Sequence, residues 1–113
     1  MPVRIYHNPR CSTSRKTLAL LRDKGVEPEI VEYLNTPYTA AQLKTLLGQL
    51  KMPARAVIRK KEAAEAGIDP GKLSEEQLIA AMAKHPIFVE RPIVVSGNKA
   101  ALGRPPENVL DVL

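Results

Sequence analysis

The stretch VRIYHNPRCSTSRKTLALLRDKGVEPEIVEYL, residues 3–34, decides the architecture. Val3-Arg4-Ile5-Tyr6 reads as a short strand. His7-Asn8-Pro9 breaks it, because Asn and Pro favour turns. From Ser12 to Lys24 the spacing becomes helical. Leu18 and Leu21, with Ala19 and Leu20 beside them, make an apolar stripe, and Lys24-Gly25 is a stop signal. Glu29-Ile30-Val31-Glu32-Tyr33-Leu34 reads as a second strand. Two strands joined through a helix imply a parallel pair with a right-handed crossover.

Beyond this unit the pattern is helical. Asn35-Thr36-Pro37-Tyr38 is a turn, and Thr39-Ala40-Ala41-Gln42 fits a capping box. Leu43, Leu46, Leu47 and Leu50 follow at helical spacing and predict a core face. Met52-Pro53 breaks that helix, and Ala54 to Ala66 predicts a second helical stretch ended by Gly67. Ser74-Glu75-Glu76-Gln77 is another capping box, opening a helix to about Lys84 that His85-Pro86 ends. Residues 39–85 therefore read as an all-helical insertion. Ile93-Val94-Val95 is a buried-looking strand, Ser96-Gly97-Asn98 a hairpin turn, and Lys99 to Leu102 the return strand. Pro105-Pro106-Glu107 predicts the start of a last helix. The expected class is α/β, in the order β-α-β, helices, β-β-α, with a mixed sheet.

A length of 113 residues fits a single domain, 1–113. The apolar fraction of 44% and charged fraction of 26% sit at soluble globular averages. No apolar run approaches the roughly 20 residues of a membrane helix. No apolar signal-like stretch follows Met1-Pro2-Val3-Arg4, so a cytoplasmic location is expected. One cysteine excludes an intramolecular disulfide and a Cys-based zinc site, and His7 and His85 leave little for a histidine metal site. Lys and Arg number 17 against 12 acidic residues, a net charge of +5. The basic residues are scattered, with Arg59-Lys60-Lys61 the only run of three. The four aromatics, Tyr6, Tyr33, Tyr38 and Phe88, are too few for a platform that stacks single-stranded nucleic acid. The charge therefore points to a small anion rather than to nucleic acid.

Cys11 is the sharpest feature. It follows a strand and a turn, at the first turn of the predicted helix, with Arg10, Arg15 and Lys16 nearby. Free N–H groups and the positive end of the helix dipole at such a place favour a thiolate and bind tetrahedral oxyanions. A lone cysteine is often a small buried hydrophobe, but no large apolar side chain lies between His7 and Thr17. Two known arrangements do not fit. Cys11-x-x-x-Arg15 is not the Cys-x₅-Arg of tyrosine phosphatases, since residue 17 is Thr. Ser14 stands where a dithiol oxidoreductase carries its second cysteine, so no local disulfide forms.

His7-Asn8-Pro9-Arg10-Cys11-Ser12-Thr13-Ser14-Arg15 resembles the active-site segment of the glutaredoxin-linked arsenate reductases, the ArsC family. Arg55-Ala56-Val57-Ile58-Arg59-Lys60 is similar to that family's arginine-bearing helix. His85-Pro86-Ile87, leading to Glu90-Arg91-Pro92-Ile93-Val94-Val95, is similar to its second arginine and following strand. Gly103-Arg104-Pro105-Pro106-Glu107 resembles its third. The segments lie in the family's order and span essentially the whole chain. The chain lacks the C-terminal tail of longer members and resembles a short, YfgD-like subgroup, with Arg10 and Ser12 where familiar members carry small residues.

The resemblance implies a thioredoxin-like fold with a helical insert. It implies that Cys11 is the nucleophile and that Arg59, Arg91 and Arg104, with Arg15 nearby, hold the oxyanion. It further implies that His7 helps keep Cys11 ionised, that Ser14 hydrogen-bonds the thiolate, and that Arg91-Pro92 is a cis bond. Planar guanidinium forks suit a tetrahedral arsenate, and Arg91 and Arg104 each precede a proline that fixes the chain locally. The implied reductants are glutathione and glutaredoxin, with no bound cofactor or metal, in a monomer without nucleic-acid or membrane partners. Two alternatives carry the same fold: an Spx-like regulator that binds a protein partner such as RNA polymerase, and a monothiol oxidoreductase acting on glutathionylated proteins. Many Spx-type chains carry Cys-x-x-Cys, which Ser14 removes here.

Overall fold

Strand β1, Val3–His7, buries Ile5 and His7 on alternate positions and sits inside the sheet. The structure, a computed structural model, describes residues 2–113. On one side β1 pairs in parallel with β2, Glu29–Glu32, with Ile5 opposite Ile30. On the other it runs antiparallel to β3, Ile93–Ser96, with Ile5 opposite Val94. Strand β3 turns at Gly97, where φ is +63°, into β4, Lys99–Leu102, and Ile93 faces Leu102 at the far end of that hairpin. The sheet order is β2-β1-β3-β4, the mixed sheet that the element order predicts.

Helix α1, Ser12–Asp23, joins β1 to β2. It turns Leu21 inward, onto Ile5, Val94 and Val109, all fully buried, with Leu18, Leu20 and Val26 packed around them. Gly25 at φ +78° ends the helix.

Two elements of this unit differ from their sequence reading. Strand β2 stops at Glu32 rather than Leu34, because the Glu32 carbonyl accepts the N–H groups of Asn35 and Thr36 and turns the chain. The last helix is a 3₁₀ helix, Pro106–Val112. Pro105 and Pro106 supply no N–H at its start, and the Asn108 N–H closes a three-residue step onto the Pro105 carbonyl. It buries Val109 against the sheet unit.

The chain divides into two compact units. One runs to Thr36 and resumes at Arg91–Leu113; the other is Pro37–Glu90. In the second, both predicted capping boxes form. Thr39 caps α2, Ala40–Leu50, by accepting the Gln42 N–H at 3.1 Å, while the Gln42 side chain accepts the Thr39 N–H at 2.9 Å. Ser74 and Gln77 repeat the arrangement. Leu43, Leu46 and Leu47 of α2 are buried, as are Leu78, Ile79 and Met82 of the helix Glu75–Lys84. The helix read over 54–66 is instead two: α3, Ala54–Val57, and α4, Lys60–Glu65, so Glu75–Lys84 is α5. The break lies at Ile58, which pairs antiparallel with Val89. The Arg59 N–H donates to the Phe88 carbonyl at 2.6 Å and the Glu90 N–H to the Val57 carbonyl at 2.8 Å. These long-range bonds replace the helical ones. Among the described residues no helix is long and apolar enough to cross a membrane.

Candidate active site

Cys11 is the N-cap of α1, with an extended backbone (φ −92°, ψ 122°). Its carbonyl accepts the Arg15 N–H, and its own N–H donates to the Asn8 carbonyl, both at 3.0 Å. That backbone sets the sulfur over the first free N–H groups of the helix. From the other side come two arginines. Arg104 places Nη2 3.6 Å from the Cys11 sulfur, and its Nε donates to the Arg91 carbonyl at 2.9 Å. The Arg91 guanidinium also bonds the sulfur.

Burial pushes the Cys11 thiol up. The Ser14 N–H, the hydrogen bond and charge of Arg91, and the Thr13 N–H pull it down and prevail. The thiol therefore ionises below its ordinary value. A half-buried thiolate beside two guanidinium groups and a helix start can attack an electrophilic centre carried by an anion.

Ser14 reaches the sulfur through its main-chain N–H. Its hydroxyl is engaged elsewhere: Oγ accepts the Asn8 N–H at 3.1 Å and lies 2.6 Å from His7 Nδ1, in a buried pair. The surroundings of His7 disfavour its protonated form. Burial lowers its pKa, Arg15 and Arg22 lower it further, and Glu32 opposes them without prevailing. The lowered pKa favours the neutral imidazole, whose contact is with the Ser14 hydroxyl. Arg15 donates through Nη1 to the Pro9 carbonyl at 2.8 Å, which ties the loop before Cys11 to α1. Arg59 stands in the helical unit, where Nε meets Glu62 and Nη1 meets Glu90. Burial works against its charge, and the two carboxylates outweigh that and raise its pKa. The Arg91-Pro92 bond is cis, as the resemblance implies, and so is Arg104-Pro105.

Residues 6–112 match the sequence model of the ArsC family. The chain belongs to the ArsC family. It is 54% identical to the uncharacterized protein YfgD of Escherichia coli (strain K12), over 98% of this chain and 96% of that one. It is 45% identical to the arsenate reductase of Rhizobium meliloti (strain 1021), over 100% of this chain and 82% of that one. The solved structure of an arsenate reductase from Vibrio cholerae superposes with a TM-score of 0.91 at 47% identity, covering 100% of this chain and 98% of that chain. The fold is accordingly thioredoxin-like.

Within this ArsC-family site the structure brings together Cys11, Arg91 and Arg104, with His7 and Ser14 paired beneath the loop. Asn8 was not singled out from sequence, yet it organises the loop. Its carbonyl holds the Cys11 N–H, its N–H holds Ser14, and Oδ1 accepts the Arg10 N–H at 3.0 Å. The Asn-Pro pair signals a turn, which is the clue that could have found it. Glu62 and Glu90 were also missed. Arg59-x-x-Glu62 has helical i,i+3 spacing, whereas nothing local points to Glu90.

Proposed function

We propose that this protein is an arsenate reductase that draws its electrons from glutathione and glutaredoxin. The observation that carries the reading is the Cys11 sulfur, with its lowered pKa, beside Arg91 and 3.6 Å from Arg104 Nη2. In the proposed cycle the Cys11 thiolate attacks arsenic of arsenate. A sulfur–arsenic bond forms, and one arsenate oxygen, protonated, leaves as water. Arg91 and Arg104 offset the negative charge that would repel the thiolate. Arg59 is proposed to share this role on the strength of the family resemblance. The thiol of glutathione then attacks the Cys11 sulfur. A Cys11–glutathione disulfide forms, the sulfur–arsenic bond breaks, and arsenic keeps the electron pair and departs as arsenite. A glutaredoxin thiol takes the glutathionyl group by thiol–disulfide exchange and restores Cys11.

Ser14 in place of a second cysteine supports an outside thiol as the resolving group. The family match and the named arsenate reductases among its relatives support the substrate. The reading implies no bound cofactor, a monomer, and a cytoplasmic location. The test is arsenite formation by the purified protein supplied with arsenate, glutathione and glutaredoxin. Steady arsenite release that disappears in Cys11→Ser supports the proposal. No release above the protein-free control overturns it.

A further inference from the structure

Gly103 lies buried against Pro92 and Thr17. Its N–H donates to the Pro92 carbonyl at 2.9 Å. One residue on, Arg104 Nε donates to the Arg91 carbonyl at 2.9 Å. The segments Arg91-Pro92 and Gly103-Arg104 are thus cross-linked twice, immediately beside the sulfur.

The cross-link closes only because residue 103 has no side chain. A Cβ there would lie 2.8 Å from Pro92 Cγ, 2.8 Å from Thr17 Oγ1 and 3.1 Å from Thr17 Cγ2. None of these atoms moves easily. Pro92 is a buried ring. Thr17 is fully buried in α1, and its hydroxyl donates to the Thr13 carbonyl at 2.8 Å. Thr13 in turn is one of the residues whose N–H faces Cys11. A methyl at 103 must push the Arg104 segment off α1, push Arg91-Pro92 aside, or displace the first turns of the helix. Each route moves a group that bears on the sulfur.

We infer that Gly103 is a positioning residue: its bare backbone clamps the Arg91 and Arg104 segments onto α1 and thereby holds both guanidinium groups at Cys11. This rests on the proposed site, with Cys11 and the two arginines as its working parts. The groups set on the sulfur are Arg91 from the segment before β3, Arg104 from the segment after β4, and the Thr13 and Ser14 N–H groups of α1.

The experiment follows the rate of Cys11 alkylation by iodoacetamide against pH in the full chain, with circular dichroism to check folding. Gly103→Ala should raise the midpoint by about one pH unit, the scale set by weakening one charge-assisted contact. Gly48→Ala, where no atom lies within 4 Å of the added methyl, should leave the midpoint unchanged. A second pair guards against simple misfolding. Thr17→Ala removes two of the three obstructing contacts, so Gly103→Ala is also made in that background and compared with Thr17→Ala alone. The midpoint should still rise, because Pro92 remains in the way. A folded Gly103→Ala variant with the parent's midpoint, in either background, overturns the inference. Arsenate turnover is measured beside it and separates the two readings. A parent without turnover but with a shifted Gly103→Ala midpoint removes the proposed function and leaves the clamp. Full parental turnover with an unmoved midpoint removes the clamp and leaves the function.

Discussion

Replacing Arg91 with alanine should raise the pH at which Cys11 ionises. In the native chain burial pushes the thiol up, and Arg91, by hydrogen bond and by charge, is among the groups that bring it below its ordinary value. A hydrogen bond to a charged group is worth about 1.5–3 kcal/mol, and about 1.4 kcal/mol corresponds to one pKa unit. Arg91 is half-buried, so solvent screens part of this. The expected rise is about one unit, toward the ordinary cysteine value of about 8.5. At pH values below the parent's midpoint the alkylation rate should fall about tenfold. The sign for stability follows from linkage. A thiol whose folded-state pKa is lowered adds stability that is fully present above the ordinary value. That stability is lost as pH falls through the lowered folded-state value. Arg91→Ala should therefore flatten the rise in urea stability with pH over that window. The assay is iodoacetamide rate against pH in parent and variant, with urea midpoints at matched pH. A folded variant whose alkylation profile overlays the parent's would refute the reasoning.

Ser14→Ala should cost about 1–3 kcal/mol in urea unfolding, because it strips a partner from both buried His7 and the Asn8 N–H; an unchanged midpoint would mean that water replaces the hydroxyl. Cys11→Ser should keep the fold and lose arsenate reduction. During turnover the parent should yield a Cys11–glutathione adduct by mass spectrometry, and full-rate reduction by thioredoxin without glutathione would contradict the proposed resolving step. Arg59→Ala should lower kcat/KM for arsenate and also reduce stability, since it removes a charged partner from the half-buried carboxylates of Glu62 and Glu90. A variant with lowered stability and parental kinetics would restrict Arg59 to a structural role.

The β-α-β start is legible in residues 3–34 because strand, turn and helix signals there agree with one another. Both capping boxes are legible because each is a four-residue pattern that closes on itself. The break at Ile58 is not, since its cause is a partner at Val89, far along the chain. Residues 54–66 carry no proline or glycine that would announce it. At the site, Cys11 stands out from its position and its polar flanks. Arg91 and Arg104 become legible only through the segments that resemble a family, because a lone arginine before a proline has no local signature. The engagement of the Ser14 hydroxyl by His7 depends on a turn that folds the strand end over the first helical turn, and composition does not encode it.

The hairpin from β3 to β4 works as a ruler read from one end. Arg91 precedes Ile93 and Arg104 follows Leu102 by the same two residues, and Ile93 and Leu102 are opposite each other. The separation of the two arginines is therefore set at the open end of the hairpin, while the Gly97-Asn98 turn at the other end fixes the register by pairing Ser96 with Lys99. Side-chain substitutions at that exposed turn that keep Ser96 opposite Lys99 should be silent at Cys11. A one-residue slip inside either strand would turn its side chains to the opposite face and carry one arginine out of register with the other. A loop grafted at the turn should therefore leave the thiol's tuning intact when it keeps Ser96 paired with Lys99.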